Sequence, residues 1–345
     1  MYRYAIKKLA ALTTGAAALA AVGGVTIQNL VRQKKLRELH GLAAEEDHAA
    51  ASMLGREWLG KKHEETTAFI RSEEGRRILE NGSDEEIGNL LLSLSGALQE
   101  EVAASEMDPV KKFKTFPSLV IEEGFLGSSL DMRENNPNLG HVQANAFRIS
   151  SDLIMTNKHV SGVRGDLIFA TDRGGPDVAI YRVSDSVKKN IAQAPILHFT
   201  GNDDTGLLGA RITVAGNDRD EMSLPDGTKR ITSLMVPATP HVINFLKKYT
   251  MAQVSKKSWE ENKANSYIIL LHSGTWMYTS NNRHVVEAAG MSGSPALFDN
   301  GDVAGIISSR IPVNIQGVVA GIGFIHAAPR ILAQLPEQIK TKLNK

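Results

Sequence analysis

The pattern of apolar and polar positions divides the chain into two parts near residue 108. In the first part, apolar residues recur every three or four positions, as on one face of an amphipathic helix. The clearest run is Ile87, Leu90, Leu91, Leu94 and Leu98. Ser83 precedes this run and Glu86 lies three residues later, which is the capping-box pattern of a helix start. We therefore predict a helical segment over residues 28–110.

The second part has the sequence pattern of a β protein. From about Phe116, short runs rich in β-branched and aromatic residues alternate with Gly, Asn, Asp and Pro, which is typical of many short strands in a barrel or sandwich. Examples are residues 146–149, 166–170, 210–215, 267–271 and 303–308. The tail over residues 329–343 returns to helical spacing. Residues 111–345 are therefore predicted to form a mainly β domain that a C-terminal helix closes.

The N-terminus carries a targeting pattern. Arg3, Lys7 and Lys8 precede a weakly apolar, Ala-rich stretch over residues 9–27, with an A-x-A cleavage pattern at 18–20. This favours an exported protein, whose residues 1–27 are a signal peptide or a membrane anchor. The alternatives are a mitochondrial presequence, since seven basic residues precede the first acidic one, and an ordinary buried helix.

Composition narrows the classes of function. A length of 345 residues with 42% hydrophobic residues supports a real core, in one large or two medium domains. A net charge of +1 argues against nucleic acid as the main partner. The absence of cysteine excludes a thiol nucleophile, an iron–sulfur cluster and disulfides. No grouped metal ligands and no phosphate-binding loop are evident, so we predict neither a metal nor a cofactor.

One short segment suggests nucleophilic chemistry. Ser292 stands in the run Gly-Met-Ser-Gly-Ser-Pro over residues 290–295, ahead of an apolar stretch at 296–298. A serine on a sharp turn can expose its hydroxyl while neighbouring backbone N–H groups point at a substrate oxygen, as a nucleophile with an oxyanion hole requires. Clusters of Gly, Ser and Pro are also common in plain turns, so this segment needs support from elsewhere in the chain.

Two upstream segments supply that support. His159 ends an apolar run over residues 153–160, and Asp177 opens an alternating run over residues 176–183. A serine hydroxyl needs an imidazole to take its proton and a carboxylate to orient that imidazole. The interval of 18 residues leaves room for one strand, at 166–170, and a turn at 172–176. Asp172 and Asp185 are alternative carboxylates, and Asp177 could instead be a turn residue that caps a hairpin.

These motifs resemble those of the chymotrypsin-fold serine proteases, most closely the branch with the HtrA/Deg proteases and glutamyl endopeptidases. The matching segments are Thr-Asn-Lys-His-Val at 156–160, Asp-Val-Ala-Ile at 177–180, the run at 290–295 and Gly-Ile-Gly-Phe at 321–324. The resemblance covers about residues 115–345 and implies a double β-barrel with a closing C-terminal helix. No PDZ domain is expected, because too little sequence follows that helix.

The resemblance also implies roles for individual residues. Ser292 is expected to be the nucleophile, His159 the general base and Asp177 the orienting carboxylate. The N–H groups of Gly290 and Ser292 are expected to form the oxyanion hole. Met291 stands where trypsin-type enzymes carry an aspartate that pairs with a new N-terminus, so activation by that route is not expected.

The substrate pocket is expected to contain Val286, with Gly321, Gly323 and Phe324 at the cleft edge, where an extended peptide would add as a strand. Valine cannot pair with a basic side chain, so we expect cleavage after a small or medium apolar residue. His326 is also nearby. A histidine in this region is similar to one found in glutamate-preferring relatives, which makes cleavage after glutamate the second expectation.

The sequence thus predicts a serine endopeptidase that hydrolyses protein or peptide substrates through an acyl-enzyme. The alternative is a catalytically inactive module of the same fold that binds peptides or scaffolds partners, since fold does not determine function. Residues 28–110 are expected to be an inhibitory pro-segment, a docking bundle or an oligomerisation element. The N-terminus is a candidate membrane tether.

Overall fold

The chain folds into a mainly β protein with two large antiparallel sheets, flanked by helices. The computed structural model describes residues 64–93, 108–122, 125–127, 144–160, 162–199, 204–217, 228–251, 254–271, 276–278, 284–286, 291–315 and 318–343. The predicted targeting segment 1–27 therefore lies outside the described residues, as does Gly290.

The first sheet is built from the N-terminal half of the β region. Its strands are β1 (Leu119–Glu122), β2 (Phe125–Gly127), β3 (Ala144–Arg148), β4 (Leu153–Thr156), β5 (Asp166–Ala170) and β6 (Ala179–Arg182). Their order is β2-β1-β3-β4-β6-β5, with antiparallel pairing throughout. On β4, Leu153 and Met155 enter one hydrophobic cluster while Ile154 enters another. Both faces of this strand are buried, which explains its unbroken apolar run.

The second sheet contains most of the C-terminal half. Its strands are β7 (Arg211–Asn217), β8 (Thr228–Leu234), β9 (Val236–Pro237), β10 (Ser266–Leu271), β13 (Pro295–Phe298), β14 (Val303–Ile315) and β15 (Val318–Ala327). They are ordered β8-β7-β13-β14-β15-β10-β9. Two short strands, β11 (Trp276–Tyr278) and β12 (His284–Val286), pair only with each other among the described strands. Strand β13, which follows Ser292, lies inside the sheet between β7 and β14.

Helices precede, interrupt and follow the sheets. They are α1 (Glu73–Asn81), α2 (Asp84–Ser93), α3 (Asp185–Ile191), α4 (Asp204–Leu207), α5 (Pro240–Tyr249), α6 (Lys256–Asn265), α7 (Ala328–Gln334) and α8 (Glu337–Leu343), with a 3-10 turn at Pro109–Lys112. Residues 64–71 are also helical. The predicted capping box is confirmed, because the Ser83 N–H donates to Glu86 at 2.7 Å and the Glu86 N–H donates to the Ser83 hydroxyl at 3.2 Å.

The N-terminal helices pack against the second sheet through helix α5. The hydroxyl of Thr239, the N-cap of α5, donates to the carbonyl of Leu79 at 2.6 Å, and the Tyr249 hydroxyl donates to Asp84 at 3.0 Å. Behind these contacts lies one shared hydrophobic cluster. Its members include Ile70, Ile78, Leu79, Ile87, Leu90 and Leu91 from the helices and Val242, Leu246, Ile311 and Phe324 from the sheet side. The helices and the second sheet therefore share one core.

The predicted architecture is confirmed as mainly β, with helices before and after two antiparallel sheets, and it is consistent with a double barrel. Strand β5 has the predicted bounds, whereas β14 runs well past residue 308. The closing helix is present as two short helices, because Pro336 follows Leu335 and a proline lacks the N–H needed to continue the first. No helix in the described ranges combines the length and the hydrophobicity needed to cross a membrane.

Candidate active site

Sheet register brings His159 and Asp177 together. Thr156, the last residue of β4, pairs with Ala179, the first residue of β6, and the two strands are antiparallel. The turn that follows β4 therefore lies beside the residues that precede β6. The side chain of Asn157 secures the arrangement by donating to the carbonyl of Asp177 at 2.8 Å. A separation of only 18 residues is enough to bring His159 and Asp177 side by side, because β5 is the single strand between them in the described chain.

Asp177 contacts His159 twice. One carboxylate oxygen accepts from the backbone N–H of His159 at 3.2 Å, and the other forms a hydrogen bond with Nδ1 of the ring. When Nδ1 donates to a carboxylate, Nε2 is left as the ring's proton acceptor. The two alternative carboxylates lie elsewhere: Asp172 is exposed, and Asp185 forms an ion pair with Lys188 on helix α3.

The carboxylate of Asp177 is buried yet charged. Its side chain is 14% exposed, whereas that of His159 is 51% exposed. Burial acts to raise the pKa of Asp177, but the interactions of the carboxylate with His159 and His326 and the hydrogen bond from the Ser308 hydroxyl outweigh it. The pKa therefore lies below its ordinary value, and Asp177 is an anion at neutral pH. It can hold the imidazole in one orientation and stabilise it when it becomes protonated.

Ser292 lies on a tight turn that only glycine can complete. The N–H of Ser294 donates to the carbonyl of Met291 at 3.0 Å, closing the turn. Gly293 has φ +84°, the left-handed value that a type II turn requires at its third residue. A Cβ at this position would collide with the carbonyl oxygen of Asn145. The glycine beside the predicted nucleophile is thus required both by its backbone conformation and by the lack of space.

The same turn is docked on the first sheet. The N–H of Asn145, on β3, donates to the carbonyl of Ser292 at 2.7 Å, and the hydroxyl of Thr156 donates to the carbonyl of Asn145 at 2.6 Å. The Asn145 side chain also bridges to the second sheet, since its oxygen accepts from the N–H of Asn217 at 2.8 Å and its amide donates to the Asn217 carbonyl at 3.1 Å. Hydrogen bonds between the two sheets therefore fix the position of Ser292.

Ser308 connects Ser292 to Asp177. Its hydroxyl donates to Oδ2 of Asp177 at 3.2 Å, and its carbonyl accepts from the Ser292 hydroxyl at 3.4 Å. Asp177 and Ser292 thus both contact Ser308, and His159 is linked to them through Asp177. In this structure the Ser292 hydroxyl is directed at that carbonyl, whereas the resemblance implies that it faces the ring of His159. A hydrogen bond of 3.4 Å is weak, so little energy is needed to turn the Ser292 hydroxyl away from this acceptor. None of the sequence motifs described above includes Ser308.

His326 lies behind Asp177. It is 1% exposed, its Nδ1 accepts from the backbone N–H of Asp177, and its Nε2 is 3.4 Å from the side-chain oxygen of Asn262. Burial lowers its pKa to about 4, more than the neighbouring carboxylate can offset. Both ring nitrogens are engaged inside the protein, and cleavage after glutamate stays a prediction.

The expected cleft edge at residues 321–324 also requires correction. Strand β15 is paired on both sides here: Gly321 and Gly323 face Leu271 and Ile269 of β10 on one side, and β14 covers the other. A peptide cannot add to a strand whose two edges are both occupied. The Phe324 side chain is fully buried and packs edge-to-face on Trp259 with ring centroids 6.1 Å apart, so it lines the core.

Two further predicted residues remain predictions. Val286 ends β12 and pairs with Trp276, but its side chain lies outside the described part of the structure. Gly290 of the expected oxyanion hole is likewise outside it. Within the described residues, no group of three or more His, Asp or Glu side chains could hold a metal ion.

Comparisons with known proteins find only weak similarity, and only to solved structures. No family model matches the chain, and no curated protein matches it. Among solved structures, the active form of the Rv3671c protease from M. tuberculosis is 16% identical over 70% of this chain and 86% of that one, with a TM-score of 0.33. A serine endoprotease from Yersinia pestis is 11% identical over 68% and 66%, with a TM-score of 0.35.

Kallikrein-related peptidase 10, in complex with Zn²⁺, has a TM-score of 0.39 at 10% identity, over 66% of this chain and 96% of that chain. These similarities are too low to assign a function. The contacts that link His159 to Asp177, and Ser308 to both Asp177 and Ser292, point to a particular chemistry.

Proposed function

We propose that the protein is a serine endopeptidase whose nucleophile is Ser292. One observation carries the proposal: Asp177 orients the ring of His159 through Nδ1 while Ser308 contacts both Asp177 and Ser292. A buried carboxylate, an exposed imidazole and a serine on a glycine turn are the parts that acyl transfer to serine needs. Their arrival from distant parts of the chain at one place supports this assignment over separate structural roles.

The chemistry proceeds in two halves. His159 accepts the Ser292 proton at Nε2 while the Ser292 oxygen bonds to the scissile carbonyl carbon, and Asp177 stabilises the imidazolium that results. The imidazolium then protonates the departing amine, leaving an acyl-enzyme. Water, deprotonated by His159, attacks the ester and releases the new carboxyl terminus. The N–H groups of Ser292 and Gly290 are proposed to bind the transient oxyanion, a contribution of about 3–4 kcal/mol in well-studied enzymes.

The substrate is proposed to be an extended peptide that runs along β14 beside the Ser308 carbonyl, past Ile306, where the pairing of β14 with β13 ends. This edge takes the place of the one expected at β15. Val286 supports a small or medium apolar residue before the cleaved bond. Export of the protein, by a signal or anchor within residues 1–27, remains a proposal from the basic and apolar pattern there. A role for residues 28–110 in inhibition, docking or oligomerisation is likewise proposed from their helical character.

A fluorophosphonate probe and a denatured casein substrate test the assignment together. The wild-type protein should be labelled at Ser292 and should release peptides, whereas Ser292→Ala should do neither. Ser186→Ala, an exposed serine on helix α3, is the matched control and should behave like the wild type. A folded wild-type protein that neither labels nor cleaves would overturn the proposal in favour of an inactive peptide-binding module.

A further inference from the structure

Asp177 is held by hydrogen bonds to its backbone N–H and its backbone carbonyl, as well as by those to its carboxylate. Its carbonyl accepts from Asn157, on the same side as His159, whereas its N–H donates to Nδ1 of His326 on β15. We propose that His326 is a positioning residue for the reaction, which fixes the main chain of Asp177 so that the carboxylate reaches His159. The inference rests on the proposed function and adds a residue that touches neither substrate nor nucleophile.

The hydrogen-bond partners of His326 define its tautomer. A backbone N–H can only donate, so Nδ1 must accept and the ring proton must lie on Nε2. Nε2 faces the side-chain oxygen of Asn262, which also accepts from the Ser266 hydroxyl at 3.2 Å. The ring therefore has an acceptor aimed at Asp177 and a donor aimed at Asn262 on helix α6. An apolar residue of the same size would fill the space but provide no acceptor.

The hydrogen bond between the Asp177 N–H and His326 affects the reaction because it helps to set the position of the carboxylate. Asp177 lies between the two sheets, and its contacts to His326 and Ser308 come from the second sheet. Its contacts to Asn157 and His159 come from the first. With the N–H released, the main chain could rotate about the remaining carbonyl contact and shift the carboxylate. Small displacements of an orienting group cost catalytic rate far more than substrate affinity.

The surroundings keep the ring in the accepting form. The charged or titratable groups that influence it are Asp177, His159 and Lys158. Burial is the largest effect and outweighs the carboxylate, so the ring of His326 stays neutral well below neutral pH. Nδ1 of His326 is thus available as an acceptor at neutral pH.

Three substitutions separate the acceptor from the bulk of the ring. His326→Asn places a side-chain oxygen near the position of Nδ1, His326→Gln places its amide near the position of Nε2, and His326→Phe keeps a ring but no acceptor. The expected result is a kcat for peptide cleavage roughly 10- to 100-fold lower in the Gln and Phe variants, with KM unchanged. The Asn variant should recover most of the wild-type kcat. His198→Asn, an exposed histidine, is the matched control and should change nothing.

The kcat values are referred to the folded fraction, measured by circular dichroism at the assay temperature, so that a loss of stability does not count as a loss of rate. Equal kcat in the Asn and Gln variants, or a rise in KM with kcat unchanged, would overturn the positioning role while leaving the protease assignment intact. If the Phe variant fails to fold, the comparison of Asn with Gln decides. A wild-type protein that cleaves nothing rejects the proposed function itself.

Discussion

The hydroxyl of Ser308 donates to Oδ2 of Asp177 at 3.2 Å, and the carbonyl of the same residue accepts from Ser292 at 3.4 Å. Asp177 loses one of its hydrogen bonds when this hydroxyl is removed but keeps both contacts to His159. A hydrogen bond to a charged group contributes about 1.5–3 kcal/mol. We therefore expect Ser308→Ala to lower kcat/KM roughly 10-fold or more, measured with a fluorogenic peptide. An unchanged kcat/KM would show that the hydroxyl is dispensable.

Gly293 should tolerate no side chain. Gly293→Ala incurs both an unfavourable positive φ and a collision with the Asn145 carbonyl, so we expect a loss of at least about 2 kcal/mol in stability, together with activity. Gly174 is the matched control: its φ is +91°, but a Cβ added there would meet no atom within 4 Å. Gly174→Ala should cost about 1–2 kcal/mol. Urea unfolding of the two variants checks the difference, and equal losses would argue against the collision.

The N-terminal helices should unfold together with the second sheet. Ile87 is fully buried in the cluster that also holds Ile311 and Phe324. Ile87→Ala should destabilise the protein by about 2–5 kcal/mol, because it leaves a cavity in a shared core. Phe69, which is 41% exposed, is the control, and Phe69→Ala should change stability by about 0.5 kcal/mol or less. Two separate transitions, with only the first shifted, would show that the helices form an independent unit.

Stability should fall in mild acid because of His326. Its pKa drops from 6.5 in the unfolded chain to about 4 in the folded protein. The unfolded state therefore binds a proton first as the pH falls below 6.5, and the loss grows to about 3 kcal/mol near pH 4. Asp177 acts in a separate window, because its lowered pKa confers stability that is lost only below its ordinary value of 3.8. Urea unfolding between pH 7 and pH 4 measures this, and His326→Asn should flatten the curve.

Local sequence patterns predict the structural features that are determined by residues close together along the chain. The capping box at Ser83 and Glu86, the bounds of β5 and the change from helices to strands follow from local spacing. The pairing of His159 with Asp177 can also be predicted from the sequence, because one strand, β5, separates the two residues. These features require no knowledge of which distant elements pack together.

Features that depend on the register between distant strands cannot be predicted from the sequence. Ser308 follows the apolar start of β14 without any motif of its own, and its role emerges only once β14 lies beside the Ser292 turn. The segment 321–324 was assigned to an open edge, because a strand motif does not reveal how many neighbours the strand has. Amphipathic spacing likewise showed which face of the N-terminal helices is buried, but not that helix α5 and the second sheet cover it.

The shared core of the helices and the second sheet has a consequence for biosynthesis. The helices at 64–93 leave the ribosome well before Ile311 and Phe324, which share their core. The apolar faces of these helices therefore cannot be fully covered until β14 and β15 have been synthesised. The turn that holds Ser292 is completed by a residue of β14, since the Gly293 N–H donates to the carbonyl of Ile307 at 3.0 Å. Under the proposed function, a nascent chain therefore has no assembled active site until β14 has been synthesised.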